Sequence, residues 1–169
     1  MVQLLLEEQA RRPREIRFLR TFLAGGDSVP LSTQERFQSL FGIPLREGYG
    51  MTETGPSVFN PPDAIRSGSL GKALDGVDVR VVDSNGKDAS DGQIGEIAVR
   101  SPASFVGYWD DPVATREALR DGWLRTGDLA RRDADGYLWF EGRKKEIIVR
   151  DGLNISPQEV EEAIYDHLR

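Results

Sequence analysis

Four turn dipeptides, Asn85-Gly86, Asp91-Gly92, Asp121-Gly122 and Asp135-Gly136, divide the second half of the chain into short segments. Asn or Asp followed by Gly adopts the backbone angles of tight hairpin turns with little steric cost. Between these turns, Val77, Val79 and Val81 alternate with Asp78 and Arg80, the period-two pattern of a half-buried strand. Ile94 to Arg100, Leu129 to Arg132 and Tyr137 to Glu141 read as further strands. Asp111-Pro112 reads as a helix start, with Pro at the first helical position. Strands this short and turns this frequent predict a small, distorted β-barrel or curled sheet.

Before Pro61-Pro62 the pattern differs. Residues 1–12 read as a helix. Ile16 to Ala24 reads as a buried strand that turns at Gly25-Gly26. Ser32 with Glu35 makes a capping box. Phe37, Leu40 and Phe41 share one face of the helix that follows, and Ile43 to Arg46 reads as the next strand. Strand, helix, strand predicts an α/β layer with a parallel sheet. After the barrel segment, Ile147-Ile148-Val149 reads as a strand. Ser156-Pro157-Gln158-Glu159 opens a last helix with a capping box, and Val160, Ala163, Ile164 and Leu168 give it an apolar stripe.

The residues suited to chemistry sit where these elements end. Gly48-Tyr49-Gly50-Met51-Thr52-Glu53-Thr54-Gly55-Pro56 joins an aromatic face, a hydroxyl and a carboxylate. Tyr49 between two glycines offers a ring for a flat base, or is a core tyrosine in a tight turn. Thr52 can donate to a phosphate, and a single carboxylate such as Glu53 suffices for magnesium that arrives with phosphates and waters. The same pair also suits a helix start. Asp128, after Arg125-Thr126-Gly127, can accept from both ribose hydroxyls or serve as a turn aspartate. Arg143 brings a planar fork for phosphate and ribose oxygens, while Arg143-Lys144-Lys145 could equally be a solvated face. Asp133-Ala134-Asp135-Gly136 lacks the later ligands of a calcium loop and reads as a hairpin turn.

Composition narrows the function classes. A net charge of −6 argues against a general nucleic-acid or anionic-membrane binder, so an anionic ligand needs a local basic site. The chain has no Cys, which excludes disulfides, thiolate nucleophiles and Cys-based metal sites and fits a cytoplasmic location. No apolar run approaches the ~18 residues of a membrane span. His167 is the sole histidine and reads as a surface residue; no Ser-His arrangement supports hydrolysis. Activation of a carboxylic acid by ATP needs no base. The carboxylate is itself the nucleophile, and catalysis rests on alignment and charge neutralisation.

The chain resembles the adenylate-forming superfamily, which includes acyl-CoA and aryl-CoA synthetases. Four motifs carry the resemblance in order: Gly48 to Pro56, Gly95 to Arg100, Gly122 to Leu129, and Gly142 to Ile148 followed by Gly152 to Glu161. The resemblance implies an α/β plus β fold. A partial α/β subdomain would span 1–60 and a small distorted β-barrel subdomain 61–143. The hinge and the beginning of a C-terminal α+β domain would span 144–169. It implies ATP or AMP, magnesium and CoA as ligands and a small carboxylic acid as substrate. Tyr49 would stack on adenine, Thr52 would touch the α-phosphate and Glu53 would hold magnesium. Asp128 would bind the ribose, and Arg143 would bridge ribose and phosphate. Gly25, Gly26 and Asp27 would line the adenine and acid pocket; Glu47, Gly48, Gly50 and Met51 belong to the same nucleotide set. Lys145 would be the hinge and Gly152 would lie near the pantetheine channel.

The family's glycine-rich phosphate loop has no counterpart here, because residues 1–24 contain no glycine, and the lysines are Lys72, Lys87, Lys144 and Lys145. These departures imply an internal segment of a longer synthetase, inactive or only nucleotide-binding by itself. A non-catalytic module that binds AMP or acyl-adenylate, or docks a partner, is the alternative. Leu4, Leu5, Leu6 and the stripe of the last helix are expected to lack covering surfaces and to favour self-association.

Overall fold

The structure, a computed structural model, describes residues 1–150, 153–155 and 157–167. Helix α1 (Val2–Arg11) packs on α2 (Leu31–Phe41), and α2 connects β1 (Phe22–Ala24) to β2 (Leu45–Met51). β1 and β2 run parallel, with Phe22 beside Leu45 and Ala24 beside Glu47. The predicted α/β unit is therefore present, but its sheet is mixed: β3 (Gly55–Phe59) and β4 (Lys72–Ala73) add antiparallel strands in the order β1-β2-β3-β4.

Three local expectations fail here. The strand expected over 16–24 shrinks to three residues. The Leu19 N–H bonds the Ile16 carbonyl in a turn, and Phe18 is exposed. The capping box at Ser32 does not form because the helix starts two residues earlier, with Pro30 as its N-cap. The carbonyl of Pro30 accepts the N–H groups of Thr33 and Gln34 at 2.9 and 3.1 Å, and no side chain caps the helix. The predicted face holds: Phe37 is fully buried and stacks on Phe41 with ring centroids 4.4 Å apart. Leu6, expected to be uncovered, is instead fully buried against Phe37 and Leu45; only Leu4 and Leu5 of that run face outward.

The second sheet is the curled antiparallel half-barrel. It runs β5 (Asp78–Val82), β6 (Ile94–Arg100), β8 (Trp123–Arg132), β7 (Leu119–Arg120), with β9 (Leu138–Arg143) pairing the far half of β8. Its interior residues include Val81, Ile97, Val99, Ala130 and Leu138, and Val58 of β3 joins them, which fastens the two sheets together. Helix α3 (Pro112–Ala118) starts as predicted, with the Asp111 carboxylate accepting the Ala114 N–H at 2.9 Å. Asp133 is the turn residue expected. Its Oδ1 accepts the N–H groups of Asp135 and Tyr137, and its Oδ2 those of Trp139 Nε1 and Arg66.

Beyond β9, β10 (Ile148–Arg150) and β11 (Leu153–Ile155) pair antiparallel, and α4 (Pro157–His167) starts on its proline. Val160 and Ile164 of α4 are exposed, as is His167. Ser156 of the second capping box and Leu168 of the stripe lie outside the described residues.

Candidate nucleotide site

The glycine string is a β-hairpin. β2 and β3 pair Gly50 with Pro56 and Met51 with Gly55, leaving 52–54 as the turn. Thr52 and Glu53 therefore do not start a helix. The glycines beside Tyr49 are needed by the hairpin itself: a Cβ on Gly48 would enter the Phe59 ring, and one on Gly50 would lie 2.6 Å from the Gly55 carbonyl oxygen. Opposite Tyr49 and Gly50 the pairing skips Ser57, so β3 carries a bulge beside the tyrosine.

Tyr49, Glu53, Asp128 and Arg143 all line one cleft of about 1640 Å³ between this hairpin and the half-barrel. The Tyr49 hydroxyl crosses the seam and donates to Asp128 Oδ2 at 2.7 Å. Burial first, and then the negative charge of Asp128, push the Tyr49 phenol well above its ordinary pKa, while the Thr126 hydroxyl and the Arg143 charge pull the other way. The phenol therefore stays protonated and donates. Asp128 is 4% exposed. Its Oδ1 lies 3.1 Å from Arg143 Nε, its register partner on β9, yet no donor is aligned on that oxygen. A buried carboxylate oxygen without a hydrogen bond is costly and usually answers a ligand or water. The ribose hydroxyls are donors of the right kind, so the residues present fit a nucleotide.

Glu53 sits at the cleft edge. Its Oε1 accepts the Tyr108 hydroxyl at 3.0 Å, and its backbone carbonyl accepts the Phe105 N–H at 2.8 Å. Burial and then the bond to Glu53 raise the Tyr108 pKa. Tyr108 is itself anchored, its N–H donating to Thr115 Oγ1 of α3 at 2.9 Å. No cluster of three acidic or histidine side chains occurs among the described residues. A single carboxylate such as Glu53 suits a magnesium ion that keeps phosphate and water ligands.

Gly25, Gly26, Gly48, Gly50, Met51 and Thr52 also line the cleft, with Lys145 at its rim. Two residues of the expected set are directed elsewhere. Glu47 is buried and structural: its carboxylate accepts the Val29 N–H at 3.0 Å and Gln34 Nε2 at 2.7 Å, tying α2 to β2. Asp27 accepts the N–H of its neighbour Ser28 and does not reach the cleft lining. Gly152 lies outside the described residues. Sequence reasoning missed Tyr108 because nothing in local periodicity links it to a carboxylate 55 positions earlier. It read Glu96, also a lining residue, only as a strand position.

Similarity to known proteins agrees with this geometry. The profile of the AMP-binding enzyme family matches residues 1–109. The sulfoacetate–CoA ligase of Cupriavidus necator is 44% identical over 168 residues, which is 97% of this chain and 32% of that enzyme. Among solved structures, an anthranilate CoA ligase in complex with anthranoyl-AMP superposes with a TM-score of 0.89 at 30% identity, covering 98% of this chain and 32% of that one. The O-succinylbenzoate coenzyme A synthetase of Bacillus subtilis, in complex with ATP and magnesium ion, superposes with a TM-score of 0.86 at 32% identity, covering 99% and 35%. The chain spans about a third of the length of the relatives it matches. With four ordered motifs, a matching fold and a profile that covers most of its length, the chain belongs to the AMP-binding enzyme family.

Proposed function

We propose that this chain is the part of an ATP-dependent acid–CoA ligase that holds the adenylate. The parent reaction would join a carboxylic acid to AMP with release of pyrophosphate and then pass the acyl group to CoA. Tyr49 offers its ring to adenine, Asp128 takes the ribose hydroxyls, and Arg143 bridges ribose and phosphate. Thr52 meets the α-phosphate. Glu53 would hold magnesium, which supplies charge neutralisation at the phosphates when bound. Lys145, at the rim, is the proposed hinge, with 1–60, 61–143 and 144–169 as the moving and fixed parts. The observation that carries the reading is Asp128, which lines the cleft with Tyr49 and Arg143 and whose buried Oδ1 is ion-paired with Arg143 Nε but has no aligned hydrogen-bond donor.

Alone, the chain binds AMP or an acyl-adenylate and does not turn over. Two of its four lysines are engaged: Lys144 Nζ lies 3.4 Å from Glu96, and Lys72 Nζ sits 4.6 Å over the Tyr137 ring. Calorimetry tests the binding. AMP should bind the parent chain, and Asp128→Ala should weaken it about ten- to hundredfold, the worth of hydrogen bonds to a charged group. Unchanged affinity in that variant, or saturable pyrophosphate release by the parent with any acid tried, would overturn the respective half of the proposal.

A further inference from the structure

Glu96 belongs to the Gly95 to Arg100 motif, and the nucleotide reading gives it no task. It is 8% exposed and sits where the half-barrel ladder breaks. On β6, Ala98 pairs with Arg125 and Glu96 with Leu129, so β8 carries a bulge across Thr126, Gly127 and Asp128. Residues in a bulge lose ladder partners, and their backbone groups need others. Here side chains supply them. Glu96 Oε1 accepts the Gly127 N–H at 3.1 Å. The Thr126 hydroxyl donates to the Ile97 carbonyl at 2.8 Å and accepts the Asp128 N–H at 3.1 Å. The Gly127 carbonyl accepts the Lys144 N–H at 2.8 Å. Gly127 has φ +76, a conformation that only glycine adopts freely, and the peptide units on either side of its Cα are each held by a hydrogen bond.

The second oxygen of Glu96 engages two cations, Arg125 Nη2 at 2.8 Å and Lys144 Nζ at 3.4 Å. Lys144 precedes the proposed hinge residue. One carboxylate therefore touches the turn that aims Asp128 and the segment that leaves the barrel.

We propose that Glu96 is a positioning residue. It replaces the missing ladder partner at the bulge, holds Asp128 in place for the ribose hydroxyls, and fastens the Lys144 segment to the same turn. The ribose part rests on the nucleotide reading above; the fastening of the turn does not.

The test uses the whole chain as parent, Glu96→Gln and Glu96→Ala. Calorimetry compares AMP with 2′,3′-dideoxy-AMP, and hydrogen exchange follows the Gly127 and Lys144 amides. In Glu96→Gln, which keeps the volume, AMP affinity should fall about fivefold or more, while the dideoxy analogue changes less than about twofold. Exchange at both amides should rise about tenfold in Glu96→Ala, which removes the acceptor, and less in Glu96→Gln, whose amide oxygen can still accept the Gly127 N–H. Equal loss for both nucleotides, or unchanged exchange at both amides, would overturn the inference. A parent that binds neither nucleotide would remove the ribose part together with its premise, and the exchange result alone would then decide whether Glu96 holds the turn. AMP binding with unaltered ribose discrimination in Glu96→Gln would overturn this inference and leave the nucleotide reading standing.

Discussion

The half-barrel and the α/β unit face each other across the cleft, and they are built to different standards. Among the described residues, the core centred on the half-barrel is a buried cluster of eight, Val58 of β3 included, while the α/β unit has three, Leu6, Phe37 and Leu45, and otherwise relies on half-buried neighbours. The difference follows from topology. Successive antiparallel strands bring partners together through short turns. A parallel pair such as β1 and β2 needs a crossover helix and cover on both faces. Leu23 of β1 is 53% exposed, so that sheet edge lacks such cover among the described residues. The site borrows from both regions: the half-barrel supplies Asp128, and the hairpin β2–β3 supplies Tyr49 and Glu53.

Substitution in the two cores gives the largest contrast. Ile97→Ala should cost about 2–5 kcal/mol and lower the whole urea transition, because Ile97 is fully buried at the centre of the half-barrel. Leu6→Ala removes the one fully buried side chain of α1. It should release that helix, seen as increased exchange over 2–11, with the half-barrel transition shifted by less than about 1 kcal/mol. If Leu6→Ala lowered the barrel transition as far as Ile97→Ala, the two regions would be one cooperative unit.

The same contrast explains what the sequence made legible. All four turn dipeptides mark real turns, since Asn-Gly and Asp-Gly act locally, and β6 falls on Ile94–Arg100 as read. Residues 16–24 misled because apolar content says nothing of pairing; only Phe22–Ala24 finds β2. The capping box at Ser32 lost to a helix start two residues earlier at Pro30, a competition invisible in residue type. In the site, the motif residues Tyr49, Glu53, Asp128 and Arg143 were named from their chemistry. The bonds of Tyr108 to Glu53 and of the Gly127 N–H to Glu96 are tertiary contacts that no spacing encodes. Glu47 shows the converse: a carboxylate just before the string that folding commits to Gln34 and Val29.

A smaller effect tests the seam between the regions. The bond from Tyr49 to Asp128 is a direct polar link between the hairpin and β8 within the cleft. Tyr49→Phe keeps the ring and removes the hydroxyl, leaving the buried Asp128 carboxylate with less to hold it. AMP affinity should fall roughly tenfold, about 1.4 kcal/mol. Tyr49→Ala should lose more, since the ring goes too. If Phe binds AMP as tightly as Tyr, the hydroxyl only joins the two regions, and adenine stacking is the tyrosine's whole contribution.

The smallest expected effect comes from ion pairs on the half-barrel. Arg100 and Asp78 are cross-strand partners with Arg100 Nη2 2.8 Å from Asp78 Oδ2, but their side chains are 56% and 60% exposed. Arg125 and Glu96 show the same 2.8 Å separation with side chains only 18% and 10% exposed. Distance is equal, so solvent decides. Exposed pairs contribute about 0.2–1 kcal/mol because water and salt screen them and holding two long side chains costs entropy. Asp78→Asn should sit at the low end, since Arg100 keeps its place 4.6 Å over the Trp123 ring without its partner. Urea denaturation at low and high salt measures it, and the small difference should vanish in high salt. A loss above about 2 kcal/mol that survives high salt would mean that this face of the half-barrel is shielded from water in solution, and the contrast between the two pairs would collapse.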